Sequence, residues 1–124
     1  MTKLDANSLP ESLTSVLTDR FYLDGTSATA SLVFSKTFVF NTKLRGVLLK
    51  VLYPRTVGSL LVEFFKNNIA IPSSSLTING TYPVSVSIDT LNVELTNGDT
   101  VTAKATTTAL TPLKNACDIE LFLQ

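Results

Sequence analysis

The sequence has no histidine and no tryptophan, and its single cysteine is Cys117. Without histidine, neither a Ser-His-Asp nor a Cys-His nucleophile can be assembled, and a zinc site would need carboxylates and one thiol. One cysteine allows no intrachain disulfide and no CxxC metal knuckle, so stability has to come from the core. The glycines fall in no GxGxxG or GxxxxGK spacing, and no Asp-x-Asp-x-Asp-Gly pattern occurs. Nucleotide-cradling and EF-hand loops are therefore missing, and no cofactor is expected.

Charge is also scarce. Ten basic and ten acidic side chains give a net charge of zero, with 16% charged against 44% hydrophobic residues. No sequence-wide field gathers phosphates or anionic lipid, so neither nucleic acid nor membrane is an expected partner. A weakly charged surface promotes association, and a homo-oligomer is expected. No apolar run approaches the roughly 20 residues that span a bilayer; the stretch from Gly46 to Leu52 is interrupted by Lys50. The first residues carry neither the apolar run of a signal peptide nor the basic amphipathic pattern of a transit peptide. The chain is expected to be soluble and to start folding in the cytosol.

At 124 residues the chain fits one domain, large enough to bury roughly two thirds of its unfolded surface. Short alternating segments fill most of it. Residues 31–40 place Leu32, Phe34, Phe38 and Phe40 on one face, with Lys36 among them, which predicts a bulge or a strand end there. Two short strands joined by a bend fit equally well. Val47 to Tyr53 follows, closed by Pro54. In Leu60 to Lys66, Leu60, Val62 and Phe64 share one face and Leu61, Glu63 and Phe65 the other. Bulk on both faces predicts a strand with one side in the core and the other against a second layer or a neighbouring subunit.

Asn67-Asn68 reads as a hairpin turn because asparagine tolerates the left-handed conformation. Val84, Val86 and Ile88 alternate with serines, Leu91, Val93 and Leu95 repeat the pattern, and Val101, Ala103 and Ala105 continue it after the Asn97-Gly98-Asp99 turn. Thr106-Thr107-Thr108 reads as a loop or an edge. Ile119, Leu121 and Leu123 align on a closing strand. Serine and threonine make up about a quarter of the chain, which suits outward strand positions. Seven to nine strands with short turns predict an all-β fold, an antiparallel β-sandwich or jelly-roll-like domain over residues 26–124.

Residues 1–25 are expected to form an arm with a short N-terminal helix over residues 8–21. Leu9, Leu13, Val16, Leu17 and Phe21 recur at helical spacing, Ser8 and Glu11 fit a capping box, and Pro10 suits a first turn. Such a helix packs on the body or docks on a neighbour; both readings stay open.

The available chemistry is thin. A glycosidase needs two carboxylates about 5 to 10 Å apart, but Glu63, Glu94 and Glu120 fall at strand positions where a solvated face explains them. Asp89 and Asp99 occupy turn positions, where a carboxylate accepts backbone N-H bonds. Cys117 precedes the last strand with no base nearby, and reads as an inert, partly buried thiol. No catalytic residue and no metal ligand is expected, and the chain reads as no enzyme.

The segment Leu60 to Asn68, then Leu91 to Val101 with its Leu-Thr-Asn-Gly-Asp-Thr-Val turn, resembles small β-sandwich modules of bacteriophage virion proteins. In those modules a strand ends in a Lys-Asn-Gly-like turn, where this chain has Asn68 in the glycine position. The resemblance covers roughly residues 31 to 123. It implies a capsid decoration, head-fibre or tail-associated protein, localised in the virion after synthesis in the host cytoplasm, with other virion proteins as partners. It carries no catalytic residues. On this reading Leu9, Leu13, Val16 and Leu17 form the docking stripe, with Leu61 and Phe65 as further interface. A second reading is a lectin-like module that contacts a bacterial surface glycan through Tyr53 and Tyr82, although each Tyr-Pro pair also fits a loop anchor.

Overall fold

Alternation of apolar and polar residues along nearly every segment gives each strand one face to bury, and two sheets are the outcome. The computed structural model describes residues 15–24, 30–52, 57–79, 85–111 and 114–124. Among these it has ten strands: β1 (Ser15–Asp24), β2 (Ala30–Thr37), β3 (Thr42–Val51), β4 (Val57–Lys66), β5 (Ile69–Ala70), β6 (Leu76–Asn79), β7 (Ser85–Ile88), β8 (Val93–Leu95), β9 (Thr100–Thr111) and β10 (Lys114–Leu123). The first sheet runs β1-β10-β3-β7, with β8 also on β3; the second runs β2-β9-β4-β5, with β6 also on β4. Every pairing is antiparallel.

The core lies between the sheets. Leu44, Val47, Leu49, Leu121 and Ile119 come from the first, and Leu60, Val62, Phe64, Ile78, Val101 and Ala103 from the second, all at most 1% exposed. Small Ala103 and Ala105 sit opposite Phe64 and Val62 on β9 and β4, so large and small side chains share the inner face of that sheet.

Leu44 and Val47 both face inward although three residues separate them, which strict alternation forbids. A register shift at Phe122/Leu123 explains this. Gly46 pairs with Phe122 and Leu44 with Leu123, leaving Arg45 as the extra residue of a bulge. The bulge resets the alternation and turns Arg45 away from the core, where it is half-buried.

The expected N-terminal helix is not formed at residues 15–21, which belong to β1; residues 8–14, with Leu9 and Leu13, lie outside the described residues. The helical spacing of Leu13, Leu17 and Phe21 is also compatible with a strand, since residues four apart share a strand face. Asp19 between Leu17 and Phe21 hid the two-residue period. The boundary expected after residue 25 separates β1 from its own sheet, because β1 pairs with β10 from Ser15↔Leu123 to Asp24↔Lys114.

Other expectations shift locally. The β2 bulge lies between Leu32 and Phe34, while Lys36 is exposed just before the strand ends at Thr37. Phe38 is buried but Phe40 is 50% exposed, because the chain bends after β2. Thr106-Thr107-Thr108 lies inside β9, with Thr107 buried against the core. Cys117 lies within β10 and is fully buried. The turn at Asn67-Asn68 has both residues at positive φ, 51° and 68°, as a two-residue hairpin of the I′ kind requires.

Candidate binding cleft

Three connections meet at one end of the sandwich: the bend after β2, the β4–β5 turn and the β8–β9 turn. Their meeting is held by hydrogen bonds between backbones. Phe38 donates to the Asp99 carbonyl at 2.8 Å, Gly98 donates to the Phe38 carbonyl at 2.7 Å, and Asn67 donates to the Thr100 carbonyl at 2.8 Å.

Asp99 ties the side chains together. Its carboxylate accepts from the Thr96 amide at 2.8 Å, the Thr96 hydroxyl at 3.1 Å and the Asn67 amide group at 3.0 Å, with Lys66 Nζ 3.6 Å away. The Thr96 backbone bond first, then the Asn67 bond, holds the Asp99 carboxyl down at about 2. Asn67 in turn accepts from the Thr100 amide at 2.9 Å, and Lys66 Nζ donates to the Glu94 carbonyl at 2.8 Å, joining the two sheets. The turn chemistry expected of Asp99 is therefore realised, and it reaches beyond its own turn.

On the outer side of the first sheet at this end lies an open cleft of about 430 Å³, lined by Asn41, Thr42, Lys43, Arg45, Glu94 and Gln124. Each lining side chain is anchored or paired. Arg45 Nη1 donates to Gln124 Oε1 at 2.7 Å, Thr42 Oγ1 donates to the Gln124 carbonyl at 2.7 Å, and Lys43 Nζ lies 3.4 Å from Glu94 Oε2. Asn41 Oδ1 accepts from the Asn97 amide at 3.1 Å. Beside Asn41 in the chain, Phe40 is half exposed, and its ring meets that of Phe38 edge-on at 5.8 Å and 76°. A second hollow of about 400 Å³ between the sheet edges is mostly apolar, lined by Ile69, Ala70, Ile71, Pro72 and Val93 with Lys66 and Asn67.

The residues expected to carry interfaces fall on different surfaces. Val16 is 49% exposed on β1, whereas Leu17 packs against the core. Leu61 and Phe65 share the outer face of the second sheet, half-buried, opposite Thr106 and Thr102, with Glu63 between them opposite Lys104. Phe65 lines a hollow of about 210 Å³ with Asn68, Thr102 and Lys104. The structure brings Leu61 and Phe65 together and places Val16 on the other sheet. Tyr53 and Tyr82 lie outside the described residues.

The carboxylates are dispersed in the same way. Glu63 is on the second sheet, Glu94 pairs with Lys43, and Asp118 pairs with Arg20 at 2.7 Å across β10 and β1. The hydrogen bond from Arg20, opposed by partial burial and aided by its charge, lowers the Asp118 carboxyl below its usual range. Asp118 and Asp99 are thus held ionised, the opposite of what a general acid needs. Among the described residues no group of three His, Cys, Asp or Glu could hold a metal ion. No helix of the described residues is long and apolar enough to cross a membrane.

The sequence reading gives no role to Asn41 or Arg45 and puts Phe40 on one strand face with Phe38. Gly46 was the available signal for Arg45, since a glycine inside a strand marks a bulge or a close approach.

No protein-family model matches the chain, and no curated protein matches it.

Proposed function

We propose that the chain is a non-enzymatic structural component of a bacteriophage virion, a capsid decoration, head-fibre or tail-associated protein held by protein-protein interfaces and folded as a jelly roll. The observation that carries this reading is the strand order. With the short β5 and β8 set aside, the sheets read β1-β10-β3-β7 and β2-β9-β4-β6. Each strand of one sheet has its sequence neighbour at the same position in the other, as when antiparallel hairpins are wound around a common barrel. That winding supports a jelly-roll reading, a pattern that recurs in viral capsid and lectin domains.

The surface supports an assembly role. Leu61 and Phe65 add apolar area to an outer sheet face otherwise covered by threonines and the Glu63/Lys104 pair. A specific protein-protein interface buries upwards of about 1,000 Å², and a face of this kind, with little charge to desolvate, is suited to contribute to it.

Light scattering across a concentration series tests the reading. A stable oligomer that falls to a monomer in Leu61→Glu or Phe65→Glu, with the circular dichroism of the β domain unchanged, is the expected result. A protein that stays monomeric at all concentrations and fails to bind virions lacking it overturns the assembly role.

A further inference from the structure

We infer that the cleft lined by Asn41, Thr42, Lys43, Arg45, Glu94 and Gln124, with the half-exposed Phe40 next to Asn41 in the chain, is a carbohydrate-binding site. This goes beyond the assembly reading and does not depend on it.

The cleft mixes donors and acceptors over a short distance. Lys43 and Arg45 donate, Glu94 accepts, and Asn41 does both. A free phosphate or sulfate is matched by cations alone, and the Glu94 carboxylate opposes it. An apolar ligand would displace water from these polar groups without replacing its hydrogen bonds. A hydroxyl donates and accepts at one atom, so a ring bearing neighbouring hydroxyls is the ligand that satisfies a mixed rim of this sort.

Two of these groups are also held in place before any ligand arrives. Arg45 is fixed by Gln124 and Asn41 by the Asn97 amide, while Lys43 and Glu94 lie 3.4 Å apart as a solvent-exposed pair. Each keeps capacity for a ligand: a guanidinium has five N-H donors and Arg45 uses one on Gln124, and Asn41 engages its oxygen, leaving the amide N-H donors of that side chain for a partner. Two backbone devices bring them together. The β3 bulge turns Arg45 outward, and the β8–β9 turn sets Asn97 under Asn41. Ordering therefore costs little on binding, which suits a shallow site for a weakly bound, well-hydrated ligand.

Phe40 supplies the apolar complement. Its ring is half exposed and its orientation is set by the edge-on contact with buried Phe38. An exposed aromatic ring one residue from Asn41 offers a surface for the C-H side of a pyranose whose hydroxyls the rim takes.

The test is a glycan array of bacterial surface polysaccharides and their oligosaccharides probed with the full chain, followed by titration of the best binder. Saturable binding is expected, weakened by about tenfold or more in Phe40→Ala and in Glu94→Gln, with thermal melting of both variants close to that of the parent. Tyr22→Ala, an exposed aromatic on β1 opposite Ala116, toward the end of β10 away from Gln124, is expected to bind as the parent does. No binding across the array overturns the inference, as does binding that survives both cleft variants or is lost only in Tyr53→Ala or Tyr82→Ala. Because oligomeric mass is read separately, none of these outcomes decides the assembly reading.

Discussion

Phe122 and Gly46 stand directly opposite each other on β10 and β3, and Cδ2 of the Phe122 ring lies 3.1 Å from where a Gly46 Cβ would sit. The ring covers a strand glycine, and the same point is 2.6 Å from the Ile88 carbonyl oxygen. That oxygen belongs to the backbone of a paired strand and cannot step aside. Gly46→Ala is expected to destabilise the fold by about 1–3 kcal/mol, the range for overpacking a tight site. A urea midpoint equal to that of the parent would show that β7 yields freely.

Ala109 presents the reverse case. It has φ of 51° within β9, near the register shift where Val57 pairs with Thr111 and Ser59 with Thr108. A side chain costs about 1–2 kcal/mol in that conformation, more than the roughly 0.5–1 kcal/mol of chain entropy that glycine adds. Ala109→Gly is expected to raise stability by up to about 1 kcal/mol, read as a higher denaturant midpoint with the slope unchanged.

Asp99 sets an acid limit. Its carboxyl is held at about 2 against an ordinary 3.8, so the folded protein binds this proton less readily than the unfolded chain. The contribution is complete above the ordinary value and fades as pH falls through about 2. Asp118, lowered by Arg20, acts in the same direction. Asp99→Asn is expected to lower stability at neutral pH, with the gap to the parent closing in strong acid. A gap that persists unchanged at the acid end would assign the loss to geometry in place of charge.

Cys117 is 0% exposed in the middle of the first sheet. A thiol reagent is expected to reach it only through opening of the sheet, so labelling should speed up with denaturant in step with global unfolding. Rapid labelling in buffer alone would mean that β10 opens locally.

Much of the fold was legible because burial follows a two-residue period. The alternation separates Leu60, Val62 and Phe64 from Leu61, Glu63 and Phe65 as two faces of one strand, and the structure turns the first set inward. The Asn67-Asn68 turn was legible from the tolerance of asparagine for positive φ. Where one residue breaks the period, the reading failed: Asp19 concealed β1, and the Arg45 bulge separates Leu44 from Val47 by an odd step. The cleft was invisible for a related reason. Its residues come from three separate parts of the chain, Asn41 to Arg45, Glu94 and Gln124, which meet only in the folded protein.

The sequence by itself determined the class of the protein: strands in two antiparallel layers, since short alternating segments have one face to bury, and no histidine chemistry, since none is present. Which strands adjoin, and which polar groups converge, was decided by tertiary structure alone. Pairing depends on register between segments far apart in the chain, as with Lys43 and Gln124 or Asn67 and Thr100. No local preference encodes such a meeting; it arises only when both sheets close over a shared core.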